Sequence, residues 1–426
     1  MRCNLFASLT ALIAGTCLAD FHLDGLPPVL TGDTGTPYSS PSPANIGALI
    51  VPPLNSYPSA NAKVFLDFDG DYTSSWVGYS PGTTPAYDTD GDASTFSTTE
   101  VSNITEIWKR VSEKYSPFNI NVTTVDPGNG NDRETVRVVI GGTGSWFGLS
   151  GGVAYPGGFY NGLPNTVFVF PKNLANGVPK YTAEASAHEA GHSFGLDHQS
   201  KYSGTSKTDE YSDYDGVTKA PLMGKSYHTA RGIWWNGPSS SGYNFLQNDL
   251  SVLTSLNNGF GYRGDDFGNA TLTGTTIALD GGGNFSAAGV IENTSDRDCF
   301  NFTTIGGAYA IHINNAEFGG MLDVSAWLYD SGGALVNSAG TTELLGEMLS
   351  GFINPGSYTL MVGSAGNFGD IGQFRVSGVV TPPLVPEPAS LALLTFAGFA
   401  LIRRRRTDQF SLCQKSLRQA LPFRRL

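Results

Sequence analysis

The sequence has few cysteines and few charges. Of four cysteines in 426 residues, two lie within the first 17 positions and one at position 413, so only Cys299 lies in the long stretch between them. A disulfide-stapled scaffold is therefore excluded for that stretch. Charged residues make up 15% of the chain, against about 25% in average soluble domains. Together with 54 glycines, this argues against coiled coils and long helical bundles and predicts a mostly β protein.

Positive charge is scarce outside the two ends. The chain has 25 Lys and Arg against 37 Asp and Glu. Eight basic residues and one Asp lie in 403–426, and Arg2 lies near the start; the remainder has 16 basic and 36 acidic residues, a net charge of −20. Such a body repels phosphate backbones, so we expect no nucleic-acid partner.

The first 60 residues have the features of an export segment. Residues 1–19 combine Arg2, an apolar stretch and the small residue Ala19, which is typical of a secretory signal peptide. Residues 20–60 are rich in Pro, Ser, Thr and Gly and are expected to be a flexible leader or a short propeptide. We therefore expect an exported protein, extracellular or at the cell surface.

An uncharged apolar segment lies near the other end. Fourteen residues without a charge, 389–402, follow a Pro-Glu-Pro sequence and precede four arginines. A helix of that length spans about 21 Å, less than the roughly 30 Å hydrocarbon core of a bilayer. The order of features in 381–406 resembles the PEP-CTERM sorting signal, which implies a transmembrane helix and cleavage by an exosortase-type enzyme. A simple membrane anchor is the alternative, and the basic tail 407–426 has no counterpart in such signals.

Strand and helix patterns alternate over residues 61–258. Short β runs, such as 64–68 and 136–140, are interspersed with helical spacing over 99–115 and 181–193. This alternation is typical of an α/β (α+β) layered domain.

The pattern changes over 259–289, which we expect to be a linker and the start of a β domain. Residues 290–380 contain only short alternating runs separated by turn signals, which predicts an all-β sandwich. The sequences Asp296-Arg297-Asp298-Cys299-Phe300 and Gly356-Ser357-Tyr358 resemble the pre-peptidase C-terminal domain. The resemblance implies a jelly-roll-like module that trails a secreted peptidase.

One stretch of eleven residues contains three of the six histidines: His188-Glu189-Ala190-Gly191-His192-Ser193-Phe194-Gly195-Leu196-Asp197-His198. His188 and His192 are one helical turn apart, so both can reach one ion from the same face. Gly195 permits the left-handed conformation that ends a helix and lets the chain turn back with His198. The stretch therefore predicts a site with three histidine ligands.

Three histidines are a donor set for catalytic zinc, because they leave one tetrahedral position for water. Bound zinc lowers the pKa of that water from about 15.7 to about 7. Glu189, next to the first ligand, is placed to act as general base. We therefore expect one zinc ion; the alternative is that His188 and His192 are ordinary core histidines.

This stretch resembles the signature of the metzincin zinc metallopeptidases, in particular the reprolysin-like secreted bacterial type. The resemblance implies a zinc peptidase fold over 61–258 and a methionine turn below the metal. Met223, in Ala220-Pro221-Leu222-Met223-Gly224, is the candidate for that turn. Lys225 stands where some branches have a tyrosine, and Tyr227 is a candidate for oxyanion support or for a structural role.

The resemblance also implies an edge strand that pairs with an extended polypeptide substrate through main-chain hydrogen bonds. The candidate strand is Gly151-Gly152-Val153-Ala154-Tyr155, because its glycines permit close approach of another backbone. An interior strand with a glycine bulge is the alternative.

A second candidate metal site is acidic. Asp88, Asp90 and Asp92 have the alternate spacing of a calcium loop. The glutamate of the twelfth position is missing, because Thr99 stands there and Glu100 comes one residue later. A calcium site and a solvated acidic turn both remain open.

The sequence thus predicts a secreted zinc endopeptidase, expected to be a monomer, that acts on polypeptides. One alternative is a surface adhesion or matrix protein with a vestigial peptidase domain. Another is a zinc hydrolase of non-peptide amides.

Overall fold

The computed structural model of the protein describes residues 49–128, 130–340 and 345–381. The expected signal peptide, most of the leader, the sorting segment beyond Thr381 and the basic tail lie outside the described residues. Within these ranges the chain is mostly β, and none of the helices has the length and apolar character that crossing a bilayer requires.

A mixed five-stranded sheet and two long helices dominate residues 62–253. The elements are β1 (Ala62–Asp67), β2 (Asp71–Thr73), β3 (Gly82–Thr84), α1 (Thr98–Tyr115), β4 (Ile120–Thr123), β5 (Thr135–Ile140), β6 (Gly152–Val153), β7 (Thr166–Val169), a 3-10 turn (Pro171–Asn173), α2 (Pro179–Ser193), β8 (Lys201–Ser203), β9 (Ser206–Asp209), β10 (Lys219–Pro221), β11 (Arg231–Ile233), β12 (Asn236–Ser239), β13 (Gly242–Asn248) and α3 (Asp249–Leu253). The sheet order is β4-β1-β5-β7-β6. All its pairs are parallel except β6–β7.

The helix predicted over 99–115 is confirmed as α1, and its start follows from its sequence. Ser97 caps the helix: its hydroxyl accepts from Glu100 N, while the Glu100 carboxylate accepts from Ser97 N. This reciprocal capping box satisfies two backbone donors that a helix start leaves unpaired. Ile104, Ile107 and Val111 then bury one face of α1 in the core beneath the sheet.

Two further sheets form the second half of the described chain, with strands β14 (Thr275–Thr276), β15 (Asn284–Ile291), β16 (Arg297–Thr304), β17 (Gly307–Asn315), β18 (Val324–Asp330), β19 (Leu335–Ala339), β20 (Glu347–Ile353), β21 (Gly356–Ser364) and β22 (Gly372–Thr381). One sheet has the order β14-β16-β21-β18-β19 and the other β15-β22-β17-β20. Both contribute to one apolar core, so the predicted β-rich sandwich is confirmed. Its first strand, β14, lies within 259–289, and β15 begins there.

The segment 49–60, expected to be flexible, is part of the packed structure. It runs beside β4, where Ser56 N donates to Val122 O and Thr124 N donates to Leu54 O. Leu49 and Val51 pack against the core of the first half. The expectation of flexibility is therefore wrong for these residues, because apolar side chains and strand-like hydrogen bonds hold them.

The two halves meet through buried charges on α1 and β11. The Glu113 carboxylate is fully buried and accepts from Met321 N at 3.0 Å and from Gln373 N at 3.2 Å. Burial raises the pKa of this carboxyl to about 7. The neighbouring Lys114 ammonium donates to Gly319 O at 3.0 Å and lies 3.2 Å from Glu184 of α2. The sandwich therefore supplies partners to charges of the first half.

Arg231 makes a second buried link between the halves. Its guanidinium donates to Met321 O at 2.9 Å and to Asp370 Oδ1 at 2.8 Å. Met321 and Ile371 of the second half also belong to the core of the first. A chain cut after residue 258 would lose these partners, so the two halves form one structural unit.

We expect Asp370→Ala to lower the free energy of unfolding by about 3 kcal/mol, because it removes one partner of a buried charge. Urea denaturation of the full chain measures the change. The matched control is Lys109→Met, which removes the exposed Lys109–Glu317 pair at the same interface and should cost less than about 1 kcal/mol. Equal effects of the two substitutions would contradict a buried electrostatic link.

Candidate functional site

The predicted helix with two histidines is confirmed as α2, and its end turns the chain back toward the helix. Pro179 occupies the first turn, where its missing N–H costs nothing. After Ser193 the chain is reversed at Gly195, which has φ +96°, a conformation that favours glycine. Gly195 N donates to His192 O, and Leu196 N donates to Gly191 O. This tight reversal brings His198 to the face that carries His188 and His192.

The three histidine rings converge on one point. One ring nitrogen from each lies within 4.8 Å of those of the other two. All three side chains are buried, with exposures of 1% or 2%. The sequence motif is thus assembled into one compact cluster.

The Nδ1 atoms fix the protonation of the first two rings. Nδ1 of His188 lies 2.8 Å from Leu222 O, and Nδ1 of His192 lies 2.6 Å from Leu196 O. A carbonyl oxygen only accepts, so each Nδ1 carries the proton and donates it. Burial, and then the neighbouring histidines, lower the pKa of His188 to about 3 and the pKa of His192 well below its usual value. Both rings are therefore neutral at pH 7, with a lone pair on Nε2.

These lone pairs face each other. The Nε2 atoms of His188 and His192 are 3.0 Å apart, and with both protons on Nδ1 no hydrogen bond forms between them. Nδ1 of His198 lies 2.7 Å from the Glu210 carboxylate, and His198 Nε2 has no hydrogen-bond partner among the described residues. A cation at the common point removes this repulsion. Three imidazole nitrogens are a donor set for Zn²⁺, with Zn–N about 2.0–2.1 Å, so these residues fit zinc.

Glu189 lies on α2, next to His188, and its side chain contacts the edge of the sheet. It is fully buried and packs against Gly152 of β6: a Cβ at Gly152 would lie 2.7 Å from Glu189 Cγ and Oε1. β6 is the last strand in the sheet order. The candidate strand 151–155 is therefore at an edge rather than in the interior, and glycine there leaves room for the Glu189 carboxylate.

Met223 lies against the helix at the level of the histidines. Its side chain is fully buried, and a Cβ at Gly191 would come within 2.8 Å of its sulfur. The preceding Leu222 supplies the carbonyl that accepts from His188, and Met223 O accepts from Gln199 N. The segment at Met223 therefore supports the histidine rings through its backbone as well as its side chain.

Tyr227 and Tyr211 lie in the same region. Tyr227 is buried, with its ring against Tyr181; burial, and then the Glu189 charge, hold the pKa of its hydroxyl well above the usual value. The Tyr211 ring lies 4.5 Å from the His198 ring, centroid to centroid. Sequence reasoning missed Tyr211 and Glu210, because no spacing rule links them to a motif that ends twelve residues earlier.

At the acidic turn 88–92, the carboxylates that lie together are not the three that the sequence predicts. The structure groups Asp88 and Asp90 with Glu100, one residue late in the calcium-loop pattern, and not with Asp92. Asp92 instead accepts from Ser94 and Thr95 in a local turn. Lys172 pairs with Asp88 at 2.7 Å. Backbone and lysine donors therefore already satisfy much of this cluster.

Another carboxylate cluster lies where the sandwich begins. Ligand atoms of Asp265, Asp296 and Asp298 lie within 4.8 Å of one another. Asp298 is fully buried, and no N–H group among the described residues donates to either of its oxygens. Burial, and then the charges of Asp266 and Asp296, raise the pKa of Asp298 from 3.8 to about 9. Oxygen ligands of this kind suit calcium; the sequence pattern singled out Asp296 and Asp298 only as part of the β-sandwich motif, and Asp265 not at all.

No family model and no curated protein matches the chain. Among solved structures, the pre-peptidase C-terminal domain of a Bacillus anthracis collagenase is 17% identical over 25% of this chain and 93% of its own length, with a TM-score of 0.21. PliG lysozyme inhibitors from Aeromonas hydrophila and Salmonella Typhimurium are 12% and 20% identical; they cover 25% and 26% of this chain and 96% and 100% of their own, with TM-scores of 0.20 and 0.19. Scores this low carry no argument about fold or function.

We expect Gly152→Ala to disturb the position of Glu189, because the added Cβ would collide with that side chain and with Phe168 O at 2.8 Å. Overpacking of this kind costs about 1–3 kcal/mol. Thermal unfolding of the full chain measures the loss. The control is Gly264→Ala, at a glycine with open space around it and no positive φ; a Gly152→Ala variant as stable as wild type would contradict the close packing.

We expect calcium to stabilise the chain through Asp298, and more at pH 8 than at pH 5. The pKa of Asp298 is about 9 in the folded chain, so the folded chain holds this proton more tightly than the unfolded chain does. In the absence of calcium, the contribution of Asp298 to folding stability is therefore fully present below pH about 4 and is lost as the pH rises toward 9. The melting temperature of metal-stripped, zinc-reloaded protein, with and without millimolar calcium, measures the effect.

Two variants separate the acidic clusters. Asp298→Asn should abolish the calcium-dependent rise in melting temperature, whereas Asp88→Asn should leave it in place. The reverse result would assign calcium to the turn at 88–92.

Proposed function

We propose that this chain is an exported zinc-dependent endopeptidase of the metzincin type. The observation that carries the proposal is the convergence of three histidine lone pairs beside a buried carboxylate. Nδ1 of each ring faces an acceptor, and one ring nitrogen from each histidine lies within 4.8 Å of those of the other two, an arrangement suited to binding a cation. Glu189 is adjacent in sequence to the first of them.

In this proposal His188, His192 and His198 hold the zinc ion. Bound zinc would lower the pKa of a water to about 7 and polarise the substrate carbonyl. Glu189 takes the proton from the attacking water and delivers it to the nitrogen of the departing amine. Its buried position against Gly152 restricts its motion, which favours proton transfer at a fixed distance.

The edge position of strand β6 favours the proposal that the substrate is a polypeptide. An extended chain added beside β6 would form main-chain hydrogen bonds with little demand on side chains. Because Gly152 packs on Glu189, a peptide aligned on this edge would lie next to the general base. Tyr227 is proposed as oxyanion support only through its proximity to Glu189.

The remaining parts of the proposal rest on sequence patterns. The β-sandwich would be a pre-peptidase C-terminal-like module, and the chain would be secreted through its N-terminal signal. Its C-terminal segment would be held in the membrane and recognised by an exosortase-type enzyme. We propose a monomer.

We expect Glu189→Gln to lower kcat for casein cleavage by about 10²–10⁴-fold, the usual contribution of a general base. The bound zinc, measured by elemental analysis of the full chain, should stay near one ion per chain. The control, Glu134→Gln, removes an exposed carboxylate and should leave kcat unchanged. A wild-type chain that binds zinc but cleaves no peptide would favour a non-peptide amide substrate or a non-enzymatic role.

A further inference from the structure

The third histidine is held differently from the other two. Nδ1 of His188 and of His192 each donates to a neutral backbone carbonyl. Nδ1 of His198 instead donates to the Glu210 carboxylate, with 2.7 Å between nitrogen and Oε1. One ring of the cluster therefore has a charged partner.

The backbone around Glu210 is tied to the segment that carries His198. Ser200 Oγ donates to Glu210 O at 2.6 Å, and Ser212 N donates to Gln199 O at 2.7 Å. The Tyr211 ring packs against the His198 ring. These contacts hold the Glu210 carboxylate and one face of the imidazole in a fixed relation.

We propose that Glu210 is a positioning residue that orients His198 and strengthens its bond to the metal. By accepting the Nδ1 proton it keeps the lone pair on Nε2, and its bond direction aims that lone pair at the point shared with His188 and His192. The full negative charge of Glu210 also makes the imidazole Nε2 a stronger electron-pair donor to the metal than a neutral carbonyl partner would. This inference rests on the proposed zinc site.

Lys207 moderates the charge of Glu210. Its ammonium lies 2.6 Å from the second carboxylate oxygen, Oε2, so the two oxygens of Glu210 have separate partners. Because both side chains of this pair are about one-third exposed, the lysine is screened by solvent more than the buried histidine is. Lys207 therefore occupies Oε2 and leaves the contact between Glu210 Oε1 and His198 in place.

The experiment measures the zinc dissociation constant of the full chain by competition with a chelating dye. We expect Glu210→Ala to weaken zinc binding by about 10- to 100-fold, as is usual when the outer partner of a metal-bound histidine is removed. Glu210→Gln keeps an acceptor without the charge, so it should fall between Glu210→Ala and wild type. The visible absorption of the Co²⁺-substituted variants should change as well, since it reports the geometry at the metal.

The matched control is Asp213→Asn, which removes an exposed carboxylate three residues away that pairs with Lys201. It should leave the zinc dissociation constant and the Co²⁺ spectrum unchanged. If the wild type binds zinc and both Glu210 variants bind it equally tightly, the positioning role is overturned and the zinc site stands. If the wild type binds no zinc, the proposed function fails first and takes this inference with it.

Discussion

Three buried imidazoles whose ring nitrogens converge on one point are the constraint on which the site depends. Nδ1 of His188 and Nδ1 of His192 each face a buried carbonyl, so their protons cannot move to Nε2 without leaving a buried oxygen unsatisfied. The repulsion between the Nε2 atoms of His188 and His192, 3.0 Å apart, is therefore built into the fold. A cation relieves it, whereas a proton would have to charge a ring whose pKa burial has lowered. The acceptors around these two rings thus disfavour protonation of Nε2.

The helix that carries two of these rings is tied to the β-sandwich. Glu184 of α2 lies 3.2 Å from the Lys114 ammonium, which also donates to Gly319 O of the second half. Lys114 is almost fully buried, so a missing partner would leave a desolvated charge. The sandwich is therefore part of the support of the site, and a chain that ends at residue 258 would be a poor substitute for the whole protein.

The two acidic clusters show how similar composition leads to different chemistry. At 88–92 the carboxylates accept from local backbone N–H groups and from Lys172, so little is left for a metal. Among the described residues no such donor reaches Asp298, and burial, then the neighbouring carboxylates, raise its pKa. Spacing in the sequence favoured the first cluster as a calcium site. The lack of hydrogen-bond donors to Asp298 among the described residues favours the second cluster.

Local patterns in the sequence determined the elements and the core of the site. Helical spacing over 99–115 predicts α1, alternation predicts the sandwich strands, and the four-residue spacing of His188 and His192 with Gly195 predicts a helix followed by a reversal. These features depend on neighbours within a few residues, so the sequence alone contains them. Tertiary structure decided which distant groups meet these elements: Glu210 at His198, Gly152 at Glu189, and the sandwich at α1. Those contacts join residues 12 to more than 200 positions apart, and no periodicity in a single sequence encodes a pairing over such separations.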